Sequence, residues 1–437
     1  MRMVLATAGL LVGLMPVFAE EKAAPKPPAE PLDTLVEKLG SRDYKTRVAA
    51  SRALETYGVE ALPTLKKAHA AATNAEARKR LSGIVQNLER VQILSPKRLT
   101  IKLVNRPLAD VIKEINKQTG YPLMNQGGTN PSMTIAMENA TFWEVMDRVC
   151  LLAGMTLYHN EGQGLVLSYN DTFTPCVVYR GPFKVVGNNF NYNKTINFGA
   201  IPRNPANHKL RSESLTFSFT IHSEFKLPIM SIQQARVLEA VDENGASMIL
   251  QQNHQNVHVV EYHSYNGGYR TFQQAGSLSI AWPNKEARIV KKLRGVVPVT
   301  LLAEQKPEIV VDDVLKVKAK KFTGGNSELQ VDEVKETNNK THYSIRLTAR
   351  NTTPNAGHDY TWANSVPQRI ELLDAKGRKY YSQGYNYESS SATHMQATMM
   401  FATNGDATLG PPVRLVLNQW VMMQHQVEFE FKDLQLP

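Results

Sequence analysis

Three groups of side chains have types and spacings that could support catalysis, and the first is a serine–lysine pair. Ser223 and Lys226 form an S-x-x-K sequence, in which a lysine can activate a serine nucleophile if both lie on one helical turn. The residues around them alternate like a strand, and the companion motifs S-D-N and K-T-G are absent. The pair therefore does not predict a hydrolase. G-x-S-x-G, H-E-x-x-H, P-loop and C-x-x-C sequences are also absent.

The second group is three histidines, and the third is a pair of carboxylates. His254, His258 and His263 have a number of imidazoles that could hold zinc. Alternation along this segment indicates a strand, on which His263 points away from the other two. Asp312 and Asp313 could serve a hydrolase only if folding placed a partner opposite them. We therefore expect no metal, no cofactor and no catalytic residues, and surface histidines are the simpler interpretation.

Two tyrosine-rich segments are better candidates for function, as contact surfaces. Both mix tyrosine with Gly, Ser, Asn and Gln. Tyrosine gives a large contact area with a polar tip, and the small residues adapt around it, as in binding loops. Such segments could grip a protein or stack on sugar rings; the alternative is a hairpin with half-buried aromatic rings. The candidate contact residues are Tyr262, Tyr265, Tyr269, Tyr380, Tyr381, Tyr385 and Tyr387.

An internal repeat predicts the fold of residues 97–170. Residues 99–123 match residues 133–157 without a gap. In each copy apolar residues first alternate, as in a strand, and then recur at i, i+3, i+4 and i+7, as on one face of a helix. The identical pairs are Thr100/Thr134, Ile101/Ile135, Asn105/Asn139, Val111/Val145, Gly120/Gly154 and Leu123/Leu157.

Local signals set the ends of the two predicted helices. Pro107 suits a first helical turn, and Thr141 with Glu144 forms a T-x-x-E capping box. Gly120 and Gly154 supply left-handed residues at the C-terminal ends. The predicted order is β-α-β followed by β-α-β-β.

This pattern resembles the short N-terminal domain of secretins and TonB-dependent receptors, called the STN or N0 domain. The resemblance is carried by Leu99–Ile101 leading into the first helix, by Met133–Ile135, by the Phe142 helix and by Ala153–Leu157. It implies a non-catalytic periplasmic domain that binds signalling or assembly partners. Nothing after residue 170 resembles a secretin channel or a receptor barrel, so the resemblance does not imply a pore.

The N-terminus predicts export. Residues 1–19 have the basic start, apolar run and small-x-small ending of a signal peptide. The alternative is a retained anchor, although the run is short for a bilayer span. Residues 20–31, rich in Lys, Ala and Pro, predict a flexible linker. We therefore expect a periplasmic or extracellular protein with no transmembrane span after signal cleavage.

Residues 32–93 predict helices. An Arg-x-x-Ala helix from Arg47 to Leu54, a turn at Gly58 and a second helix through Leu65 resemble a HEAT repeat. A further helix over residues 74–90 has buried-type residues at helical spacing. So few repeats predict either a stabilising cap or a protein-docking surface.

Residues 171–437 predict two consecutive β-sandwiches, 171–305 and 306–437. Short alternating runs are separated by Gly, Pro and Asn, and helical spacing disappears. The segments Leu238–Gly245 and Ile370–Gly377 match as a strand entering a D-x-x-G turn. Long loops are predicted at 186–212 and 385–406. This layout resembles envelope proteins of unassigned function from planctomycete-type bacteria.

The net charge indicates which classes of binding partner the protein meets. The net charge is +10. Most basic residues are spread along the chain, and Lys291, Lys292 and Arg294 form one smaller cluster. An exported basic protein meets anionic membrane or cell-wall polymers, such as polysaccharide, before nucleic acid. The run 316–320 alternates Lys with apolar residues, which indicates a strand with one solvated face.

The two cysteines leave their pairing open. Cys150 and Cys176 could pair in an oxidising compartment, or Cys150 could be a buried free thiol.

The sequence as a whole predicts a multi-domain protein: a helical HEAT-like segment, an α+β STN-like domain and two β-sandwiches. The predicted function is non-enzymatic binding or scaffolding in the cell envelope, through contacts with a protein partner. The edges of the STN-like sheet and the tyrosine-rich segments would form the contact surfaces, with a partner strand added at a sheet edge. The alternatives are a binder of anionic polysaccharide and, with less support, a hydrolase with an unrecognised site. No nucleic-acid partner is expected.

Overall fold

A computed structural model describes residues 30–160, 164–170, 174–196, 211–250, 264–265, 269–337, 340–353 and 360–437. Strands predominate, and they form several sheets. The chain divides into two compact units, Met1–Lys97 and Arg98–Pro437. The protein is therefore β-rich and has more than one domain.

The first unit consists of helices around a small core. Asp43 and Asn74 cap two of them by accepting hydrogen bonds from backbone N–H groups in the first turn. Gly58, with a positive φ of 72°, makes the turn before the third helix. Ala77, Leu81, Ile84, Val85 and Leu88 are all buried on the last helix, as their spacing predicts. The helices are α1 (Leu32–Lys38), α2 (Tyr44–Thr56), α3 (Leu62–Ala71) and α4 (Ala75–Leu94).

The second unit begins with the repeat, where strands and helices occur in the predicted order. Each helix packs on the paired first strands of the two copies, and a separate three-stranded sheet completes the segment. Thr141 and Glu144 form the predicted capping box, and Gly120 and Gly154 are left-handed at the helix ends. The elements are β1 (Arg98–Pro107), α5 (Leu108–Thr119), β2 (Leu123–Asn125), β3 (Ser132–Thr141), α6 (Phe142–Ala153), β4 (Met155–Asn160) and β5 (Gly164–Tyr169).

The identical residues of the repeat form a reciprocal pair of contacts. Asn105 and Asn139 have φ of 49° and 48°, a left-handed conformation in which Asn is better tolerated than most residues. The N–H of Asn105 donates to Oγ1 of Thr134 at 3.0 Å, and that of Asn139 donates to Oγ1 of Thr100 at 3.1 Å. The threonine of each copy thus accepts a hydrogen bond from the left-handed asparagine of the other copy. This exchange explains why both the threonine and the asparagine recur in the repeat.

Two groups of strands follow, each containing one sheet of a sandwich. The elements are β6 (Val177–Arg180), β7 (Phe183–Ile196), β8 (Arg211–Ser223), β9 (Ile229–Ile232), β10 (Arg236–Asp242), β11 (Ser264–Tyr265), β12 (Gln273–Ile280), β13 (Ile289–Asp312), β14 (Lys320–Gly324), β15 (Ser327–Thr337), β16 (His342–Asn351), α7 (Thr361–Arg369), β17 (Ile370–Asp374), β18 (Tyr381–Ser391), β19 (His394–Ala402) and β20 (Pro412–Gln435). The sheet of the first group has the order β12-β8-β7-β6, and that of the second group has the order β14-β15-β16-β19-β18.

The opposing sheet is common to both sandwiches. Strands β13 and β20 are each 24 residues long and pair antiparallel from Ile289↔Gln435 to Asp312↔Arg414. At one end Phe429 and Phe431 of β20 pack on Phe219 and Phe217 of β8. At the other end the same two strands contribute buried residues to the core beneath β15, β16 and β19. Strand β13 therefore runs from the first sandwich into the second, and β20 runs from the second into the first.

The matching D-x-x-G segments occupy equivalent places in the two sandwiches. Asp242 accepts hydrogen bonds from the N–H groups of Asn244 and Ala246, and Asp374 accepts them from Lys376 and Arg378. Both turns close with the same backbone contacts. The strand before each turn pairs with one long strand: β10 with β13, and β17 with β20. The similarity predicted from the sequence is thus also present in the local structure.

The structure differs from the sequence-based prediction in five places. The boundary at 305/306 lies inside the continuous strand β13, because this strand serves both sandwiches. Residues 316–319 are not a strand; a 3₁₀ turn and an irregular segment lead into β14. The predicted loop 385–406 contains most of the β18–β19 hairpin, and β7 extends well into the predicted loop 186–212. Helix α7, only 9 residues long, lacks the length that makes helical periodicity visible.

Asn105→Ala and Asn105→Gly test whether the left-handed backbone conformation explains the asparagine at this position. Alanine at φ 49° is strained, and we expect it to lower the free energy of unfolding by about 1 kcal/mol. Glycine accepts this conformation, so Asn105→Gly should cost less. Urea denaturation compares the two variants, and equal loss from both would show that backbone conformation is not the cause.

Phe429→Ala tests whether the shared strands couple the two sandwiches. Phe429 is 2% exposed in the first sandwich, so truncation should cost about 3–5 kcal/mol. Hydrogen exchange should then report lower protection in β16 of the second sandwich as well as in β8. Loss of protection confined to β8 would contradict coupling through the shared strands.

Candidate binding surface

The structure brings the two tyrosine-rich segments together, although they are far apart in sequence. The hydroxyl oxygens of Tyr269 and Tyr385 are 3.0 Å apart, in a hydrogen bond that either group can donate. The rings of Tyr385 and Tyr387 meet edge to face, with centroids 5.0 Å apart and planes at 72°. These three residues form a tyrosine cluster that joins the two sandwiches.

Strand β18 determines which tyrosines face the cluster. In its pairing with β19, Tyr385 lies opposite Met399 and Tyr387 lies opposite Ala397. Met399 and Ala397 are buried, so both tyrosines are on the core-facing side of the sheet. Because β18 is the last strand of this sheet, Tyr387 extends past the core and remains 39% exposed.

A backbone contact fixes Tyr269 beside β18. The N–H of Arg270 donates to Oε1 of Gln368 at 3.0 Å, and Gln368 lies on α7. Ala363 and Val366 of α7 are fully buried in the second core. The helix therefore anchors the segment that carries Tyr269, and no sequence signal linked Gln368 to this cluster.

Two hydroxyl groups of the tyrosine cluster, those of Tyr385 and Tyr387, have raised pKa values. Burial, aided by the hydrogen bond with Tyr269, raises the pKa of Tyr385 above its ordinary value. Burial and the neighbouring Tyr269 raise the pKa of Tyr387 to about 12. Both hydroxyl groups therefore stay protonated near neutral pH, where they can donate and accept hydrogen bonds to a partner.

The other candidate tyrosines have different environments. Tyr380 is 6% exposed; its hydroxyl donates to the carbonyl of Gly410 and its ring meets Tyr343 edge-on, so it serves the core rather than a contact surface. Tyr381 is 40% exposed at the start of β18. Tyr265 lies in β11, and Tyr262 lies outside the described residues.

The residues considered for catalysis do not form a site in the described part of the chain. Ser223 ends β8, and the next residues form a turn closed by the N–H of Leu227 donating to the carbonyl of Glu224, so Ser223 and Lys226 do not share a helix. Asp312 is exposed and pairs with Arg414, while Asp313 pairs with Lys316. His254, His258 and His263 lie outside the described residues, within which no three metal-binding side chains cluster.

Both cysteines are free thiols in the structure. Burial, together with nearby Asp147, raises the pKa of Cys150 to about 12. Burial also raises the pKa of Cys176, whose Sγ lies close to Gly187. Neither thiol is poised to react as a thiolate at neutral pH.

The basic cluster near residue 292 is largely neutralised by acidic side chains. Lys292 pairs with Glu239 at 3.0 Å and is 3.9 Å from Glu430. Arg294 lies 3.5–3.8 Å from carboxylates of Glu239, Glu428 and Glu430. This mixed network across three strands offers little free positive charge to an anionic polymer.

The repeat segment, residues 98–169, is fixed on the first sandwich by polar contacts that the sequence did not reveal. Nε1 of Trp143 donates to the carbonyl of Pro182 at 3.1 Å. The hydroxyl of Tyr121 donates to fully buried Glu224 at 2.7 Å. Asp147 accepts a hydrogen bond from Tyr179 and forms an ion pair with Lys184. These contacts hold the segment in one orientation on the sandwich.

No protein-family model, curated protein or solved structure matches this chain. Among the described residues, no helix has the length and apolar character needed to cross a membrane.

His222→Gln tests whether buried histidines make the contact between the repeat segment and the first sandwich sensitive to acid. Burial, with a smaller effect of Lys184, lowers the pKa of His222 to about 3; burial and Arg270 lower that of His159 to about 4. Both histidines are neutral when folded but protonate near pH 6.5 when unfolded. The stability they contribute is complete above about pH 6.5 and is lost as pH falls toward 3.

Denaturation between pH 7 and pH 4 should therefore show a shallower loss of stability for His222→Gln than for the wild type. His342→Gln, at an exposed site, is the matched control and should keep the wild-type slope. Identical slopes for all three proteins would contradict the assignment.

Proposed function

We propose that this chain is an exported, non-enzymatic binding protein of the cell envelope. A partner protein adds an extended segment to the outer edge of β18, and the tyrosine cluster contacts its side chains. The observation that carries the proposal is the exposed edge strand with aromatic rings beside it. Main-chain hydrogen bonds give affinity in such strand addition, and neighbouring side chains select the partner.

The composition of β18 supports an edge available for pairing. It is 11 residues long, and no other described strand pairs with its outer side. Edge strands that avoid pairing often carry Lys or Pro, and β18 has neither. Its one charged residue, Glu388, is neutralised by two hydrogen bonds of 2.9 Å from Nε of Arg346.

The geometry of β18 limits the length of the added segment. Register shifts occur between Ser382 and Gly384 and between Tyr387 and Ser389. Such bulges interrupt regular pairing. The regular stretch is therefore 384–387, which includes two of the three clustered tyrosines. A partner segment of about four residues fits this stretch.

The proposal also gives roles to the segments that precede the two sandwiches. We assign residues 97–170 as an STN-like docking domain, because two strand–helix–strand copies pack around one core. Residues 32–93 are a HEAT-like segment that either caps the protein or offers a second docking surface. The predicted signal peptide and residues 20–29 of the predicted linker lie outside the described residues. Export by this signal would bring the protein to the periplasm or outside the cell.

Affinity capture from envelope extract tests the proposal with variants of β18. Tyr387→Ala removes the exposed ring, and Asn386→Lys adds a charge beside the edge; both should abolish capture of the partner. Thr323→Lys is the matched control, since Thr323 is exposed on β14 at the opposite edge of the same sheet. It should retain the partner.

A photo-crosslinking residue at Ser389 should link β18 to one extended peptide of the partner, which peptide mapping identifies. The bound protein should survive about 1 M salt, where charge attraction between exposed groups is screened beyond about 3 Å. Capture unchanged by the β18 variants would contradict strand addition. Elution of polysaccharide by salt would instead favour the polymer-binding alternative.

A further inference from the structure

A second surface site lies in the first sandwich, away from the tyrosine cluster. The rings of Tyr192 on β7 and Trp282 after β12 stand at 86°, with centroids 5.4 Å apart. Nζ of Lys285 lies 4.6 Å from the Tyr192 centroid and 4.8 Å from the Trp282 centroid. Two aromatic walls thus face one ammonium group, a geometry that attracts cations through the ring faces.

A carboxylate forms the third wall. Oε2 of Glu213 on β8 is 3.0 Å from Nζ of Lys285, and its other oxygen is 3.3 Å from Lys194. Hydrogen bonds from Lys285, Tyr192 and Lys194 lower the pKa of Glu213 to about 2. The carboxylate is therefore ionised at any pH the envelope experiences, and it keeps a negative charge beside the two rings.

The occupant of this site is held weakly and can leave. The Lys285 side chain is 48% exposed, and it sits in the connection between β12 and β13 rather than in a strand. Cation–ring contacts and ion pairs at exposed sites are individually weak.

We propose that Tyr192, Trp282 and Glu213 form a binding site for a quaternary ammonium group, which Lys285 occupies until a ligand displaces it. Aromatic walls with a carboxylate match a methylated ammonium better than a neutral group of the same shape, because both attract positive charge. The ligand class is a choline-like or betaine-like compound, free or as a lipid headgroup.

Lys285→Ala tests the proposal, with choline as the probe and its methyl NMR signal as the readout. Removing the internal competitor should tighten choline binding about fivefold or more, because an occupied site reduces apparent affinity by the competent fraction. Lys194→Ala removes a charge from the same carboxylate without opening the site, and it should change affinity less than about twofold. Trp282→Leu combined with Lys285→Ala should abolish binding.

The neutral isostere 3,3-dimethylbutan-1-ol separates charge recognition from shape and should not bind to Lys285→Ala. Retained two-dimensional NMR dispersion confirms that each variant is folded. Absence of choline binding by folded Lys285→Ala, equal binding of the neutral isostere, or equal tightening by Lys194→Ala would overturn the proposal. Co-sedimentation with phosphatidylcholine but not phosphatidylglycerol vesicles assigns the ligand to a lipid headgroup, and choline binding without co-sedimentation assigns it to a free compound.

Discussion

The antiparallel pairing of β13 with β20 is the constraint on which the rest of the second unit depends. Each 24-residue strand begins in one sandwich and ends in the other. Both strands supply buried residues to the cores of both sandwiches, so neither core is complete without them. The tyrosine cluster depends on this arrangement, because Tyr269 belongs to the first sandwich and Tyr385 to the second. A flexible connection between independent sandwiches would not hold their hydroxyl groups 3.0 Å apart.

A second rigid connection joins the repeat segment to the first sandwich. Helix α6 contributes Trp143 and Asp147, and the turn after α5 contributes Tyr121, each with a polar partner on the sandwich. Unpaired polar groups in such a buried junction would be costly, so these contacts favour one orientation. A partner that bound both the repeat segment and β18 would therefore meet two surfaces at a fixed separation.

Local signals in the sequence predicted local structure well. The alternation and helical spacing in residues 97–170, the capping box at Thr141 and the glycine ends all correspond to observed elements. The matching D-x-x-G turns were predicted because each turn is specified by a few adjacent residues. The β18–β19 hairpin was missed even though Met395, Ala397, Met399 and Phe401 alternate on β19, since the polar β18 obscured the pattern.

Long-range features could not be predicted in the same way. The sequence marked Tyr269, Tyr385 and Tyr387 as contact candidates from composition alone, but their hydrogen bond joins segments 116 residues apart. The sharing of β13 and β20 depends on register over the whole length of two strands, which composition does not specify. The site around Lys285 combines residues of two strands and a connection, and no sequence spacing indicates such a group.

Hydrogen exchange of the free protein tests most directly the central claim: a rigid shared sheet holds the two sandwiches together, and the facing sheet of the second sandwich ends in an open strand, β18. The account predicts the slowest exchange in the paired centres of β13 and β20, because these amides open only when both sandwiches unfold. It predicts fast exchange for the outward-facing amides of β18, which have no partner strand among the described residues. Protection of every β18 amide to the level of β19 would contradict an available edge, and fast exchange at the centre of β13 would contradict the rigid shared sheet.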